Sequence, residues 1–184
     1  LGSETISLDP TLHTGKKIRD KCMNVNEYNP NSFLKDCYFS DMKNNNTIFL
    51  AGDSHAEALT YSVSKVASDM QYNLHVFYRG GIIFPNINMV TLNNIQVKKI
   101  RNKDSITFYD HIKKKAKSGD ILLIAHRYPC FFGIDWNQCP TDNFGIYDKS
   151  LYKINSKVEL FENWLIKVDI LAKEMNNKGV NVIL

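Results

Sequence analysis

The sequence lacks the features of several broad protein classes. It has no run of about 18 apolar residues, so the sequence itself predicts no membrane span. The opening residues LGSETISLD lack a signal-peptide pattern. The net charge is only +4, and the lysines are dispersed apart from short groups at 98–99 and 113–117. Without interleaved aromatic residues these groups indicate solvated helix surface, so no nucleic-acid partner is predicted.

The cysteines are few and form two local pairs. Cys22 lies near Cys37 in the sequence, and Cys130 lies near Cys139. Neither spacing resembles the C-x₂-C pairs of zinc sites, and no matching histidine pair accompanies them, so no metal is predicted. Local pairing suits two disulfides and an oxidising compartment, although zinc ligation and free buried thiols remain open alternatives.

The length and composition predict one globular domain. A chain of 184 residues with 43% hydrophobic content can bury a proper core but is too short for two domains. Residues 1–46 lack a sustained period and read as a linker and irregular N-terminal extension. Alternating elements begin after them, so residues 47–184 are predicted to form the domain.

Strand and helix patterns alternate from Ile48 onward. The predicted elements are a strand at 48–50, a helix from His55, a strand at 73–78, a helix capped by Asp104 or Ser105 and ending at Lys117, a strand at 121–125, a helix with a Ser156–Glu159 capping box, and a strand at 180–184. Residues 129–152 are predicted as a loop. The order β-α-β-α-β-α-β predicts a three-layer α/β/α fold with a mostly parallel, doubly wound, flavodoxin-like sheet.

Apolar spacing supports two of the predicted helices. In the first helix, helical rather than alternating spacing relates Ala58, Tyr61, Val63, Val66 and Met70. In the last helix one apolar stripe contains Val158, Phe161, Leu165, Val168, Ala172 and Met175. In the middle helix, His111 is expected at the surface.

Residues 47–59, TIFLAGDSHAEAL, pass from an apolar strand directly into a helix. Gly52 permits a tight turn, and Ser54 falls at the mouth of that turn, beside the unpaired N–H groups of the helix start. An oxyanion formed beside this hydroxyl could be stabilised there. The alternative is that Asp53 or Ser54 serves only as a helix N-cap.

Three separate segments converge on the carboxyl ends of the predicted strands. They are Ser54, Gly80-Gly81 and His126-Arg127. Ligands of open parallel sheets bind outside the carboxyl ends of the strands. The sequence therefore predicts one functional rim built from these residues.

The string GDSHAEAL after a hydrophobic strand resembles the first sequence block of the SGNH (GDSL-like) hydrolase superfamily. Its SHA variant looks like the domain attached to membrane acyltransferases of the acyltransferase-3 type. The resemblance implies that Ser54 is the nucleophile, and that the N–H of Ser54 and a glycine N–H, Gly81 or else Gly80, form the oxyanion hole. Asp53, His55, His126 and Arg127 are then possible pocket residues.

The chain departs from the superfamily pattern in two places. The asparagine of the GxND motif is absent, because the corresponding residues read Ala125-His126-Arg127-Tyr128, and Arg127 or His126 could replace it. No D-x-x-H motif follows Gly119, so we expect the base and its aspartate to lie beyond Leu184, in a segment missing from the C-terminal end. This piece alone is then expected to be inactive.

The resemblance implies a serine-dependent O-acyltransferase, or an esterase, that passes an acyl group, expected to be acetyl, to or from a cell-surface sugar hydroxyl. The implied partners are a carbohydrate acceptor and a fused or separate membrane acyltransferase domain that supplies the acyl donor, with no cofactor. The implied location is extracytoplasmic. The alternatives are a catalytically inactive glycan-binding module on the same fold and a metallophosphoesterase beginning at Asp53-x-His55.

Overall fold

The structure is a computed structural model that describes residues 22, 34, 37–40, 45–79, 83–86, 89–91, 95–126, 144–148, 151–154 and 157–184. Its elements in chain order are β1 (Tyr38–Phe39), β2 (Thr47–Gly52), α1 (Ser54–Asp69), β3 (Asn73–Tyr78), β4 (Met89–Thr91), α2 (Ile95–Lys115), β5 (Ile121–Ala125), β6 (Phe144–Asp148), β7 (Leu151–Ile154), α3 (Lys157–Asn176) and β8 (Asn181–Ile183). The predicted alternation of strand and helix is confirmed for the central elements.

The main sheet has the strand order β1-β3-β2-β5-β8. Strands β3, β2, β5 and β8 are parallel, and β1 joins β3 as an antiparallel edge. The chain moves from β2 outward to β3 and then returns past β2 to β5, so right-handed crossovers place α1 on one face and α2 with α3 on the other. The α/β class with a mostly parallel sheet is confirmed, and the strand order reverses beside β2.

The two central strands form the middle of the core. Every residue of β2 and of β3 is buried, as expected for strands covered by helices on both faces. Phe108 of α2 stacks on Phe77 of β3 with ring centroids 4.9 Å apart. This contact fixes α2 against β3, and the parallel pairing of β2 with β3 aligns the carboxyl ends of the two strands.

The helix predicted from His55 is confirmed as α1, but most of the apolar residues whose spacing predicted it are exposed. Tyr61, Val66 and Met70 are 48%, 49% and 41% exposed. The buried residues are instead the small or short ones: Ala56, Thr60, Val63, Ser64 and Ala67. Small side chains allow the helix to lie close to the sheet, and this close approach, rather than apolar periodicity, determines the buried face.

The stripe predicted for α3 is wrong at its amino-terminal half. Val158 and Leu165 are exposed, and Phe161 is also on the solvent side, whereas Val168 and Met175 are buried as predicted. The face is set by Trp164, whose indole N–H donates to the carbonyl of Phe84 at 3.1 Å. The spacing of apolar residues along a helix gives no information about a hydrogen bond to a distant loop.

Two other predicted boundaries are also wrong. Helix α2 begins at Ile95, so Asp104 and Ser105 are internal and buried rather than N-capping. Asp104 instead accepts a hydrogen bond from Nε of Arg79 at 3.1 Å. The predicted loop at 129–152 contains β6 and the start of β7, which form a second, antiparallel sheet with β4.

A disulfide joins Cys22 to Cys37, as the local spacing predicted. Both half-cystines are buried, and the carbonyl of Cys37 accepts the N–H of Val76 in β3 at 3.0 Å. The disulfide therefore attaches a residue of the N-terminal segment to the edge of the main sheet. Cys130 and Cys139 lie outside the described residues.

Replacing both Cys22 and Cys37 with serine should lower the free energy of unfolding by about 3 kcal/mol, the value for a closed loop near the 15-residue separation of this pair. The physical reason is that the unfolded chain regains the loop freedom that the crosslink removes. Urea unfolding of the complete protein under non-reducing conditions measures the change. An unchanged unfolding midpoint would show that the crosslink adds no stability.

Candidate active site

The turn between β2 and α1 depends on glycine at position 52. A Cβ on Gly52 would overlap the carbonyl oxygen of Ala125 in β5 and lie 3.0 Å from the Cβ of Ala56 in α1. The same carbonyl accepts the N–H of Asp53 at 3.3 Å. The strand end, the helix start and the neighbouring strand therefore meet at one point, which fixes the direction in which α1 leaves the sheet.

Asp53 is the N-cap of α1. Its Oδ1 accepts the backbone N–H of His55 at 2.8 Å, and its carbonyl accepts the N–H of Glu57 at 3.2 Å. The alternative that Ser54 caps the helix is therefore wrong, because Asp53 performs this role. Ser54 is the first helical residue and is exposed to solvent.

The Asp53 carboxylate lies between two imidazoles. It is 2% exposed, with its Oδ1 3.3 Å from Nδ1 of His55 and its Oδ2 3.9 Å from Nδ1 of His126. A buried carboxylate is costly unless polar groups or positive charge surround it. The two rings, the capping N–H and the positive end of the α1 dipole supply that environment.

His126 lies beneath the rim rather than on it. Its side chain is fully buried, and its Nε2 lies 2.8 Å from the backbone nitrogen of Phe84 and 3.0 Å from the carbonyl oxygen of the same residue. Nε2 accepts the Phe84 N–H when it carries no proton and can donate to the carbonyl when it carries one, and Nδ1 faces Asp53 in either case. The Phe84 carbonyl also accepts the Trp164 indole N–H, so His126 connects the helix cap to the 83–86 loop and to α3.

Arg79, which directly follows β3, also holds the strand ends around the site together. Its backbone N–H donates to the carbonyl of Gly52 at 3.1 Å, and its Nε donates to Asp104 of α2. Sequence reasoning missed Arg79, Phe84 and Trp164. For Arg79 the sequence offered one signal, its position directly after a strand. Phe84 and Trp164 gave none, since their partners lie more than forty residues away in the chain.

The structure brings part of the predicted rim together. Ser54 and His55 are exposed at the start of α1, and Asp53 and His126 lie directly below the surface. Gly80, Gly81 and Arg127 lie outside the described residues. Within the described part of the chain, no group of three His, Cys, Asp or Glu side chains could hold a metal ion.

The arrangement presents a hydroxyl at the ligand-binding edge of the sheet. Ser54 sits beside β2, where the strand order reverses and open α/β sheets bind their ligands. It begins a helix of 16 residues, whose dipole favours negative charge at this end. The buried Asp53 carboxylate already accepts the His55 N–H there, so a further negative charge at Ser54 would share this field with Asp53.

Comparison with known proteins gives one match. The family model described as the SGNH domain fused to AT3 domains matches residues 21–183. This match confirms the resemblance carried by GDSHAEAL. No curated protein and no solved structure matches the chain. Among the helices that the structure describes, none has the length and apolarity to cross a membrane.

Proposed function

We propose that this chain, which belongs to the SGNH domain family fused to AT3 domains, uses Ser54 to carry an acyl group between a donor and a carbohydrate hydroxyl. The family supports a hydrolase or acyltransferase type of function. The observation that carries the finer proposal is the exposure of Ser54 as the first residue of α1, with capping left to Asp53.

The reaction proceeds in two transfers. The Ser54 oxygen attacks the acyl carbonyl and its proton passes to a base, which gives that proton to the departing donor group as the acyl-serine ester forms. A sugar hydroxyl then attacks that ester and its proton passes to the same base, which returns it to the Ser54 oxygen as the acylated sugar leaves. In both steps the negative charge develops at the carbonyl oxygen, next to the N-terminus of α1.

The other rim residues have supporting roles in this proposal. A glycine N–H of Gly81 or Gly80 joins the N–H of Ser54 in the oxyanion hole, and Arg127 supplies positive charge at the end of β5. The buried His126 and Asp53 position the turn, because the His126 ring has no exposed surface from which to reach a substrate. The base is a histidine supplied by a part of the complete protein outside the described residues.

The fusion of this family to AT3 domains supports the proposed donor, and the acceptor is part of the proposal. A membrane acyltransferase domain would supply the acyl group, and a cell-surface glycan on the extracytoplasmic side would receive it. Acetyl is the proposed acyl group. The exposed position of Ser54 is compatible with a large acceptor, since a polysaccharide chain cannot enter a closed cavity.

Trapping the acyl-enzyme tests this function. Membranes that contain the complete protein are given a labelled acetyl donor and quenched rapidly, and peptides that cover residues 53–57 are analysed by mass spectrometry. We expect an acetyl ester on Ser54 that disappears when the acceptor glycan is added. The protein could instead bind glycan and form no ester while the donor is consumed. That result would support a non-catalytic glycan-binding module.

A further inference from the structure

A cavity lies at the opposite end of the main sheet from Ser54. Its volume is about 400 Å³, and it is lined at the amino ends of the strands by Thr47 of β2 and by Asp120, which precedes β5. Strand β2 has six residues, so roughly 17 Å of strand separates the two ends. A ligand in this cavity would not compete with an acyl group at Ser54.

The walls of this cavity carry several basic side chains. His111 and Lys115 lie one turn apart on α2, and Lys117 follows the helix. His111 was expected at the surface, but it is half-buried, with its ring centroid 4.8 Å from that of His75 in β3. Among the described residues, neither Lys115 nor Lys117 forms an ion pair, so their charge is available to a ligand.

Asp120 is the carboxylate among the lining residues that the structure describes. Its Oδ1 accepts the N–H of Thr47 at 2.8 Å and an amide N–H of Asn46 at 3.4 Å, and its Oδ2 accepts the N–H of Lys117 at 2.9 Å. Both oxygens are therefore bound by donors that close the end of the sheet. Asp120 keeps its negative charge, and the two lysine ammonium groups of the lining outnumber it.

The environment of His111 disfavours the charged form of its imidazole. Burial, with a smaller contribution from the nearby Lys115 ammonium, lowers the pKa of His111 below its ordinary value. Among the described residues, the other titratable groups that line the cavity, besides the two lysines, are His75 on β3, Tyr38 on β1 and Asp120. An anion bound among these groups would raise the pKa of His111, because a nearby opposite charge stabilises the charged imidazole.

We infer that this cavity binds a small oxyanion of the phosphate type, held by His111, Lys115 and Lys117. The C-terminal end of α2 places the partial negative charge of its dipole beside this site, because Lys115 is the last residue of the helix. The ammonium groups of Lys115 and Lys117, together with the Lys178 ammonium that donates to the Lys113 carbonyl, offset that partial charge. The inference does not depend on the reaction proposed for Ser54.

Protection of histidine from modification tests the inference. The complete protein is treated with diethyl pyrocarbonate while inorganic phosphate is titrated at constant ionic strength with chloride. We expect phosphate to slow the modification of His111 in a saturable manner, because the reagent attacks neutral, accessible imidazole. His55, which is exposed at the other end of the sheet, is the internal reference and should react at an unchanged rate.

Matched lysine variants identify the source of the effect. Lys115→Gln should weaken phosphate protection about tenfold, the consequence of losing one charge-assisted hydrogen bond. Lys114→Gln makes the same charge change on an exposed neighbour outside the cavity lining and should leave protection intact. If Lys115→Gln fails to fold, Lys117→Gln makes the same comparison.

Three results would overturn the inference. Phosphate and chloride could protect His111 equally, which would indicate a general salt effect. Lys114→Gln could weaken protection as much as Lys115→Gln, which would indicate diffuse charge attraction. Acetate could protect at lower concentration than phosphate, which would indicate a carboxylate site instead.

Discussion

Replacing Ser54 with alanine in the complete protein should lower the proposed acyl transfer to the acceptor by about 10⁴- to 10⁶-fold, the size typical of deleting a serine nucleophile. The loss follows because the alanine methyl group cannot form the ester intermediate. The fold should be unaffected, since Ser54 is exposed and the capping hydrogen bonds belong to Asp53. Quantifying acylated product and measuring thermal unfolding in parallel separates the two effects.

Ser62→Ala is the matched control for this variant. Ser62 is also an exposed serine of α1, but it lies two turns further along the helix and away from the strand end. It should retain full transfer activity. Normal acylation by the Ser54→Ala protein would mean that the hydroxyl plays no covalent part, whatever its position on the sheet.

Replacing Gly52 with alanine should lower the free energy of unfolding by about 4 kcal/mol, which is at the upper end for single substitutions. The added Cβ would meet the Ala125 carbonyl oxygen, a backbone atom that cannot rotate away. The strands β2 and β5 must then separate where Asp53 donates to that same oxygen. Chemical unfolding followed by circular dichroism measures the loss.

Ala58→Gly provides the comparison for Gly52→Ala. Position 58 is exposed on α1, and a glycine there should cost only about 1 kcal/mol through helix propensity. If the two variants are equally stable, the close contact at Gly52 does not control the turn. Any folded Gly52→Ala protein should also transfer acyl groups poorly, because the turn directs Ser54.

The order of elements could be predicted from the sequence because each central strand is a continuous apolar run ended by a turn signal. Ile121–Ala125 is an example, since its five apolar residues follow Gly119 and Asp120 and form β5 as expected. The position of Ser54 could be predicted for the same reason. A strand, a glycine and a helix follow each other without a gap, so no distant contact was needed to locate it.

The faces of the helices could not be predicted in this way. In α1 the buried side includes Ala56, Thr60 and Ala67, because close packing of the helix against the sheet excludes larger residues. In α3 the direction is set by the bond between Trp164 and the Phe84 carbonyl. Both constraints arise from contacts between segments far apart in the chain, which a local hydrophobic period does not report.

The buried polar contacts beneath the site could not be predicted from the sequence pattern either. Asp104 looks like a helix cap in sequence, but it pairs with Arg79 inside the fold. His126 looks like a rim residue, yet its ring is turned inward to the Phe84 N–H. Polar residues that follow a strand can face either way, and only the packing of the neighbouring loop decides which.

Reaction of the complete protein with a fluorophosphonate tests most directly whether Ser54 is an accessible, activated nucleophile. The reagent forms a stable bond with activated serine oxygens and leaves ordinary serines unmodified. We predict one phosphonylated peptide, containing Ser54, together with a proportional loss of acyl transfer, while Ser62 stays unmodified. Complete resistance of Ser54 in protein that still transfers acyl groups would contradict the proposed mechanism.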